Sequence, residues 1–329
     1  MKRRDVLVRL AATMSSGLAC VHAGAQPTTG DGWPSRPIKL ILPFAPGGPT
    51  DAVARLVAVR LAERLGQPVA VENREGGGGI IAAEAVMRAP ADGYTLLFHT
   101  SGIAILPAIH RNLRFDPVKN LEPVGMVSTI PMVLLVNNSL PANTPAEFFE
   151  YLRQNQGKLN YGSGGVGNAT HVGMEQILQA TRTSAVHVAF RGTAPSMVAL
   201  IGGQVQFMSD SLITALPQIQ AGRVRPIAIL TKTRVASLPN VPTLSETVIP
   251  GMDQSAWQGI WAPPGTSPAI VTAANAALNA VLNEPAVRSQ LEKGNVAIRT
   301  SSPAELGAFL AADIDRWKAV AQYAKIVVD

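Results

Sequence analysis

Residues 38–65 read IKLILPFAPGGPTDAVARLVAVRLAERL, and this stretch decides the fold class. Ile38 to Leu42 is a short apolar run of the length and composition of a buried strand. Val53, Val57, Leu61 and Leu65 recur at helical spacing from Asp51 onward, and Gly66 supplies the stop. Between them, Pro43-Phe44-Ala45-Pro46-Gly47-Gly48-Pro49-Thr50 is a turn rich in residues that cannot continue either element. A strand, a glycine turn and an amphipathic helix make one unit of an α/β protein.

Working outward, the same unit recurs. Val69 to Glu72 reads as a strand, Gly76 to Gly79 as a turn, and about Ile80 to Arg88 as a helix, before a third strand over Tyr94 to Phe98. A second series follows. Strands are expected over Met132–Val136, Leu159–Tyr161, Ala185–Val188, Val205–Met208 and Pro226–Leu230. Helices are expected over Pro145–Gln154, with Thr144 as N-cap, about Asn168 to Ala180, and Ala194–Ile201. Alternation of this kind predicts parallel sheets covered on both faces, here in two α/β lobes. The extended Trp257-Gln258-Gly259-Ile260-Trp261 precedes helices over Pro268–Asn283, Pro285–Lys293 and Pro303–Ala324. The chain is therefore expected to cross back and finish on the first lobe. The two tryptophans alternate along the extended run and read as core.

The N-terminus has a different character. Met1-Lys2-Arg3-Arg4, a short uncharged stretch and Ala23-Gly24-Ala25 have the layout of a secretory signal over residues 1–25, predicting a mature chain from Gln26 in the periplasm. Arg3-Arg4 followed by Val6-Leu7 leaves both the general secretory and the twin-arginine route open, and Cys20 raises a lipid-anchored alternative. The stretch is too short and polar for a membrane anchor. Lys2, Arg3, Arg4 and Arg9 against Asp5 hold half of the formal charge of +6, so the mature chain is only mildly basic. Nucleic-acid binders concentrate far more Lys and Arg on one face. Cys20 is the sole cysteine, which leaves a mature chain with no disulfide and no thiolate.

Three glycine turns stand between a strand and a helix: Pro43 to Asp51, Gly76 to Gly79, and Gly162 to Asn168. A helix start leaves N–H groups unpaired and carries partial positive charge, and glycine admits a ligand close to that backbone. In an open α/β sheet such loops face one crevice, so together they predict an anion site. Gly162-Ser163-Gly164-Gly165-Val166-Gly167 also spells the dinucleotide fingerprint. The acid that should follow on the next strand is missing, because no Asp or Glu lies between Glu175 and Asp210. That disfavours NAD and leaves an exported NADP-dependent oxidoreductase, with Arg191 on the phosphate, as the alternative. Ser163 lacks the first glycine of a nucleophile elbow, and His171 with Glu175 lacks a third ligand for zinc. His171 reads as a residue bonded near a helix start, with ligand contact as its second reading, and His99, His110 and His187 as structural. Asp51 reads as a first-turn acid, while Asp210 ends a strand where it could reach a cleft.

The ordered set Pro43–Asp51, Val71–Arg74, Asp92–Leu97, Lys158–Gly164, His171, His187–Gly192, Ala194-Pro195, Gly203–Val205, Leu238–Thr243 and Trp257 resembles the signature segments of the Bug family, the periplasmic receptors of tripartite tricarboxylate transporters. The resemblance implies a two-lobed Venus-flytrap fold of the type II periplasmic-binding-protein kind, with residues 26–127 in lobe 1, 128–252 in lobe 2, and 253–329 crossing back to lobe 1. It implies a non-enzymatic, monomeric receptor that takes a small carboxylate (a di- or tricarboxylate, amino acid or aromatic acid) without cofactor, metal or nucleic acid. The ligand would pass to membrane transporter subunits of the TctA and TctB kind or to a sensor kinase. The family's carboxylate pincer maps onto Phe44, Ala45, Gly47, Gly48 and Asp51 and onto Ser163, Gly164, Asn168 and His171. Phe190 and Asp210 complete the expected site. Phe190-Arg191 stands where Tyr-Lys is usual, and Glu75 replaces a common proline.

Overall fold

The computed structural model describes residues 32–328. The expected signal segment, its cleavage point and Cys20 lie outside them. The first series begins with β1 (Ile38–Leu42), α1 (Pro49–Leu65) and β2 (Val69–Asn73). It continues with α2 (Ile80–Met87), β3 (Thr95–Thr100) and α3 (Gly102–Ile109). The 15-residue β4 (Glu122–Val136) then leads into α4 (Pro145–Gln154), β5 (Asn160–Ser163), α5 (Ala169–Thr181), β6 (Val186–Ala189) and α6 (Thr193–Ile201). After these come β7 (Phe207–Ser211), α7 (Leu212–Gln220), β8 (Arg225–Ile229) and the short α8 (Leu244–Thr247). The chain ends with β9 (Ser255–Ala262), α9 (Pro268–Leu282), α10 (Pro285–Lys293), β10 (Ala297–Ile298) and α11 (Pro303–Ala324).

Strand order along the curled sheet is β2-β1-β3-β9-β4-β7-β5-β6, with β8 and β10 also pairing with β4. The fully parallel sheets expected from the alternation are not what forms. β1 is parallel to β2 and β3, and β5 to β6 and β7, but β9 returns antiparallel between β3 and β4, and β4 is antiparallel to β7 and β8. Local alternation could not reveal this, because β9 inserts from more than a hundred residues downstream of β4. The first ten residues of β4 pair with β9, and Met132 to Val136 pair with β7 and β8, so one strand serves both halves of the sheet.

Each half is packed on both faces, and strand pleating sorts the side chains between them. Leu40 and Leu42 enter the core under α1 and α9, whereas Ile41 points to the opposite core with α2, α3 and α11. In the second half Leu134 and Val136 face α4 and α5, while Val133 and Leu135 face α6 and α7. Trp257 and Trp261 are core residues, 1% and 0% exposed. Their neighbourhood holds a buried charge. Asp313 on α11 accepts from Trp257 Nε1 at 2.8 Å and Trp317 Nε1 at 3.1 Å and pairs with Arg316. No helix among the described residues is long and apolar enough to cross a membrane.

Removing a carboxylate that satisfies two buried indoles leaves both donors unpaired. Asp313→Ala should therefore lower unfolding stability by about 3 kcal/mol in urea titrations followed by tryptophan fluorescence. Loss within experimental error of zero would mean that the indoles find other partners.

Candidate functional site

The two halves enclose a cleft of about 780 Å³. Six helix starts reach it. Thr50 opens α1, Gly79 precedes α2, and Ser101 with Gly102 opens α3, all from the first half. Asn168 and Ala169 open α5, Thr193 opens α6, and Ser211 opens α7 from the second. They converge because the strands that feed these helices end at the same edge. Ile130, Ala256 and Gln258 of the crossing strands form the floor, and Ile105, Ile109 and Ile213 add apolar wall. No Asp, Glu, Lys or Arg lines the cleft among the described residues; His110 is its one titratable side chain. A second groove of about 700 Å³ lies on the opposite face of β4, at Thr129 and Pro131, and carries exposed charges of both signs, including Lys232, Lys293 and Glu292. It contains none of the glycine turns, so the cleft is the candidate site.

The carboxylate of Asp51, 3% exposed, is fully engaged. Oδ2 accepts from the Gly47 amide at 2.9 Å and from Arg55 Nε at 2.8 Å, and Oδ1 accepts from Asn73 Nδ2 at 2.9 Å. The hydrogen bond from Arg55, with smaller help from Asn73 and Gly47, holds its pKa down to about 2. Asn73 also donates to the Phe44 carbonyl at 2.8 Å, so this network fixes the first glycine turn. The Gly47 amide is thereby occupied. Gly48 is the N-cap of α1 with no side-chain cap, which leaves the first-turn amides at Thr50 and Asp51 as the donors there. Phe44 lines the cleft, and Ala45 sits exposed at the tip of the turn.

The Gly162–Asn168 turn is likewise wired from within. The Gly164 amide donates to Thr170 Oγ1 at 2.9 Å, that of Gly165 to Ser163 Oγ at 3.1 Å, and that of Gly167 to His171 Nδ1 at 3.0 Å. Ser163 Oγ lies 2.6 Å from His187 Nε2, and the His171 and His187 rings stack at 3.7 Å. Asn168 caps α5 through Oδ1, 3.0 Å from the Thr170 amide, and also lines the cleft. Gly167 has φ of 74°, and a Cβ there would meet Ile109 Cδ1 at 2.2 Å, so only glycine lets this turn approach the end of α3. Phe190 packs behind the turn, its amide donating to the Ser163 carbonyl at 3.1 Å. Of the eleven residues singled out in the sequence, the structure thus places Phe44, Gly164 and Asn168 on the cleft wall. Ala45, Gly47, Gly48, Asp51, Ser163 and His171 belong to the two turns and the helix starts that follow them without lining the cleft, and Phe190 and Asp210 pack behind it. Thr50, Ser101, Thr193, Ser211, Thr214 and Gln258 were not anticipated. The first five share one signal, a hydroxyl at a helix start, whereas Gln258 lies within β9 and carries none.

Burial also sets the titration of the buried groups. Desolvation pushes His99 down to about 4, and desolvation with the neighbouring His187 brings His171 to about 4; His187 is itself lowered by burial. Burial pushes Asp210 up to about 6. Below the ordinary histidine pKa the unfolded chain takes up protons that the folded imidazoles refuse, so their contribution is complete above about pH 6.5 and falls as the pH drops toward 4. Asp210 acts oppositely: its contribution is complete below about 3.8 and is lost as the pH rises through 6. Three histidines outweigh one carboxyl. Denaturation midpoints should fall from about pH 7 to about pH 4.5, and Asp210→Asn should raise stability at about pH 7 while changing it little at about pH 4. A flat wild-type profile would contradict this assignment.

A family model described as the tripartite tricarboxylate transporter family receptor matches residues 53–326. Protein BugT of Bordetella pertussis is 33% identical over 312 residues, covering 92% of this chain and 94% of the other. Among solved structures, an adipate complex of a Rhodopseudomonas palustris protein is 35% identical with a TM-score of 0.80, covering 90% of this chain and 99% of the other. The periplasmic binding protein BugD is 32% identical with a TM-score of 0.77, covering 90% and 99%. MatC of Rhodopseudomonas palustris with bound malate is 33% identical with a TM-score of 0.76, covering 88% and 99%. The fold is thus that of the Bug and TctC periplasmic binding proteins, and the chain belongs to the tripartite tricarboxylate transporter receptor family.

Proposed function

We propose that this chain is an exported periplasmic receptor that closes two lobes over a small carboxylate and delivers it to membrane transporter subunits or a sensor. The observation that carries the reading is the convergence of six helix starts on a cleft lined without charged side chains among the described residues. An anion there is held by N–H dipoles and hydroxyls, while apolar wall accepts a carbon skeleton. The carboxylate sits against the first-turn amides of α1, the Asn168 side-chain amide and the start of α5. The Gly47 and Gly164 amides, already bonded to Asp51 and Thr170, hold the turns in shape for it. The same internal bonding weakens the dinucleotide alternative, because the Gly164, Gly165 and Gly167 amides that would meet a pyrophosphate already have partners.

We place lobe 1 at residues 26–127 with 253–329, and lobe 2 at 128–252. The crossing runs through β4 and β9. The hinge sits where β4 changes partners, between Pro131 and Met132, a few residues past the 127/128 boundary, and at the Gln254–Ser255 entry to β9.

Charge-assisted hydrogen bonds contribute about 1.5–3 kcal/mol each. A ligand at about 100 times its Kd should stabilise the fold by about 2.7 kcal/mol, a melting shift of several degrees. A panel of mono- and dicarboxylates should give such shifts with at least one member, and the corresponding amide should give almost none. Gly48→Val is well tolerated by the fold, since φ is −74° and the nearest atom to a Cβ is the Ala45 carbonyl oxygen at 3.7 Å. Its bulk at the α1 start should nonetheless abolish the shift. Equal shifts from acid and amide, or wild-type binding by Gly48→Val, would refute the carboxylate seat.

Closure is tested separately by small-angle scattering, in which the radius of gyration should fall when a binding acid saturates the protein. An unchanged radius would refute the flytrap motion.

A further inference from the structure

The wall that the second half presents to the cleft carries hydroxyls bonded to a buried carboxylate. Asp210 ends β7 directly behind that wall and is 2% exposed. Thr214 Oγ1 donates to its Oδ2 at 2.8 Å and the Ser211 amide donates to its Oδ1 at 2.8 Å. Ser211 Oγ lies 2.9 Å from Thr214 Oγ1. Since the single proton of Thr214 is committed to the carboxylate, Ser211 is the donor in that pair. A hydroxyl has one proton and two lone pairs. Thr193, Ser211 and Thr214 all line the cleft, and Ser211 and Thr214 have their protons drawn away from it. What they offer a ligand is acceptors. The N–H donors come from the helix starts of both walls, since α1, α3, α6 and α7 all begin with no side-chain cap.

We infer that the ligand is a carboxylate bearing a hydrogen-bond donor, a hydroxyl or an ammonium group, which seats against Ser211 and Thr214 while Asp210 acts as the positioning residue that turns those hydroxyls into acceptors. The inference rests on the carboxylate reading above and narrows its ligand class. An acid without a donor would leave these oxygens desolvated and unpartnered, and a site built around such a group rejects the analogue that lacks it. A cationic donor gains in addition from the buried Asp210 carboxylate, which is ionised at neutral pH with its pKa at about 6.

The test measures matched acids on the full-length mature protein: succinate with malate and aspartate, adipate with 2-aminoadipate, and phenylacetate with mandelate. In at least one set the donor-bearing member should bind about tenfold tighter or better, and whether the hydroxyl or the ammonium member leads identifies the donor. Thr214→Val keeps the shape and removes the acceptor, so it should collapse that ratio toward one while the unsubstituted acid still binds. In Asp210→Asn the side-chain amide can donate to Thr214 and release its proton to the cleft, so the ratio should fall or invert. Unsubstituted acids binding as tightly as their donor-bearing partners, or a folded Thr214→Val protein that keeps the wild-type ratio, would overturn the inference and leave the carboxylate reading standing. Absence of binding by every acid would overturn both. Should Asp210→Asn not fold, the wild-type ratios and Thr214→Val still decide.

Discussion

Both halves of this molecule are built on one strand. β4 pairs with β9 through its first ten residues and with β7 and β8 through its last five, so the position of each half follows from the direction of a single backbone. The pleat of that strand then separates two environments. Ile130 faces the cleft, and its neighbours Thr129 and Pro131 face the groove on the other side. Because the helix-feeding strands of both halves end toward the Ile130 face, their glycine turns and helix starts meet there. The electrostatic character of the cleft is thus a product of topology rather than of charged side chains.

Three buried polar groups convert that topology into defined surfaces. Asp51 ties the Gly47 turn to α1 and β2, His171 ties the Gly167 turn to α5, and Asp210 ties Ser211 and Thr214 to the end of β7. None of the three lines the cleft. Each spends its hydrogen-bonding capacity on the shell behind it, and burial or bonded partners set the protonation of each. Buried polar groups are stable only when satisfied, so these networks hold the loops in one arrangement and leave a chosen set of donors and acceptors facing inward.

Much of this was legible in the sequence, because the α/β units announce themselves through apolar runs, helical stripes and glycine turns. The extents of α1, α4, α10 and α11 follow from N1 prolines or C-terminal stops that the chain states openly. Pro123, Gly125 and Pro131 interrupt the apolar pattern over the first ten residues of β4, and irregular pairing with β9 absorbs them. α3 and α7 were hidden by Pro107 and Pro217 within them and, in α3, by an all-apolar run with no periodicity. The glycine turns of the site were found by their composition. The hydroxyl wall was not, because Ser211 and Thr214 look like ordinary helix-start residues until the fold sets them against Asp210.

A cleft lined without charged side chains also governs how a ligand arrives. Helix dipoles fade within about a turn, whereas a cluster of lysines or arginines projects a field that steers anions from a Debye length away, about 8 Å at physiological ionic strength. Among the described residues the cleft wall lacks that long-range pull. The attraction such a wall exerts is confined to the first turn of each helix, so it acts on a group already inside the cleft.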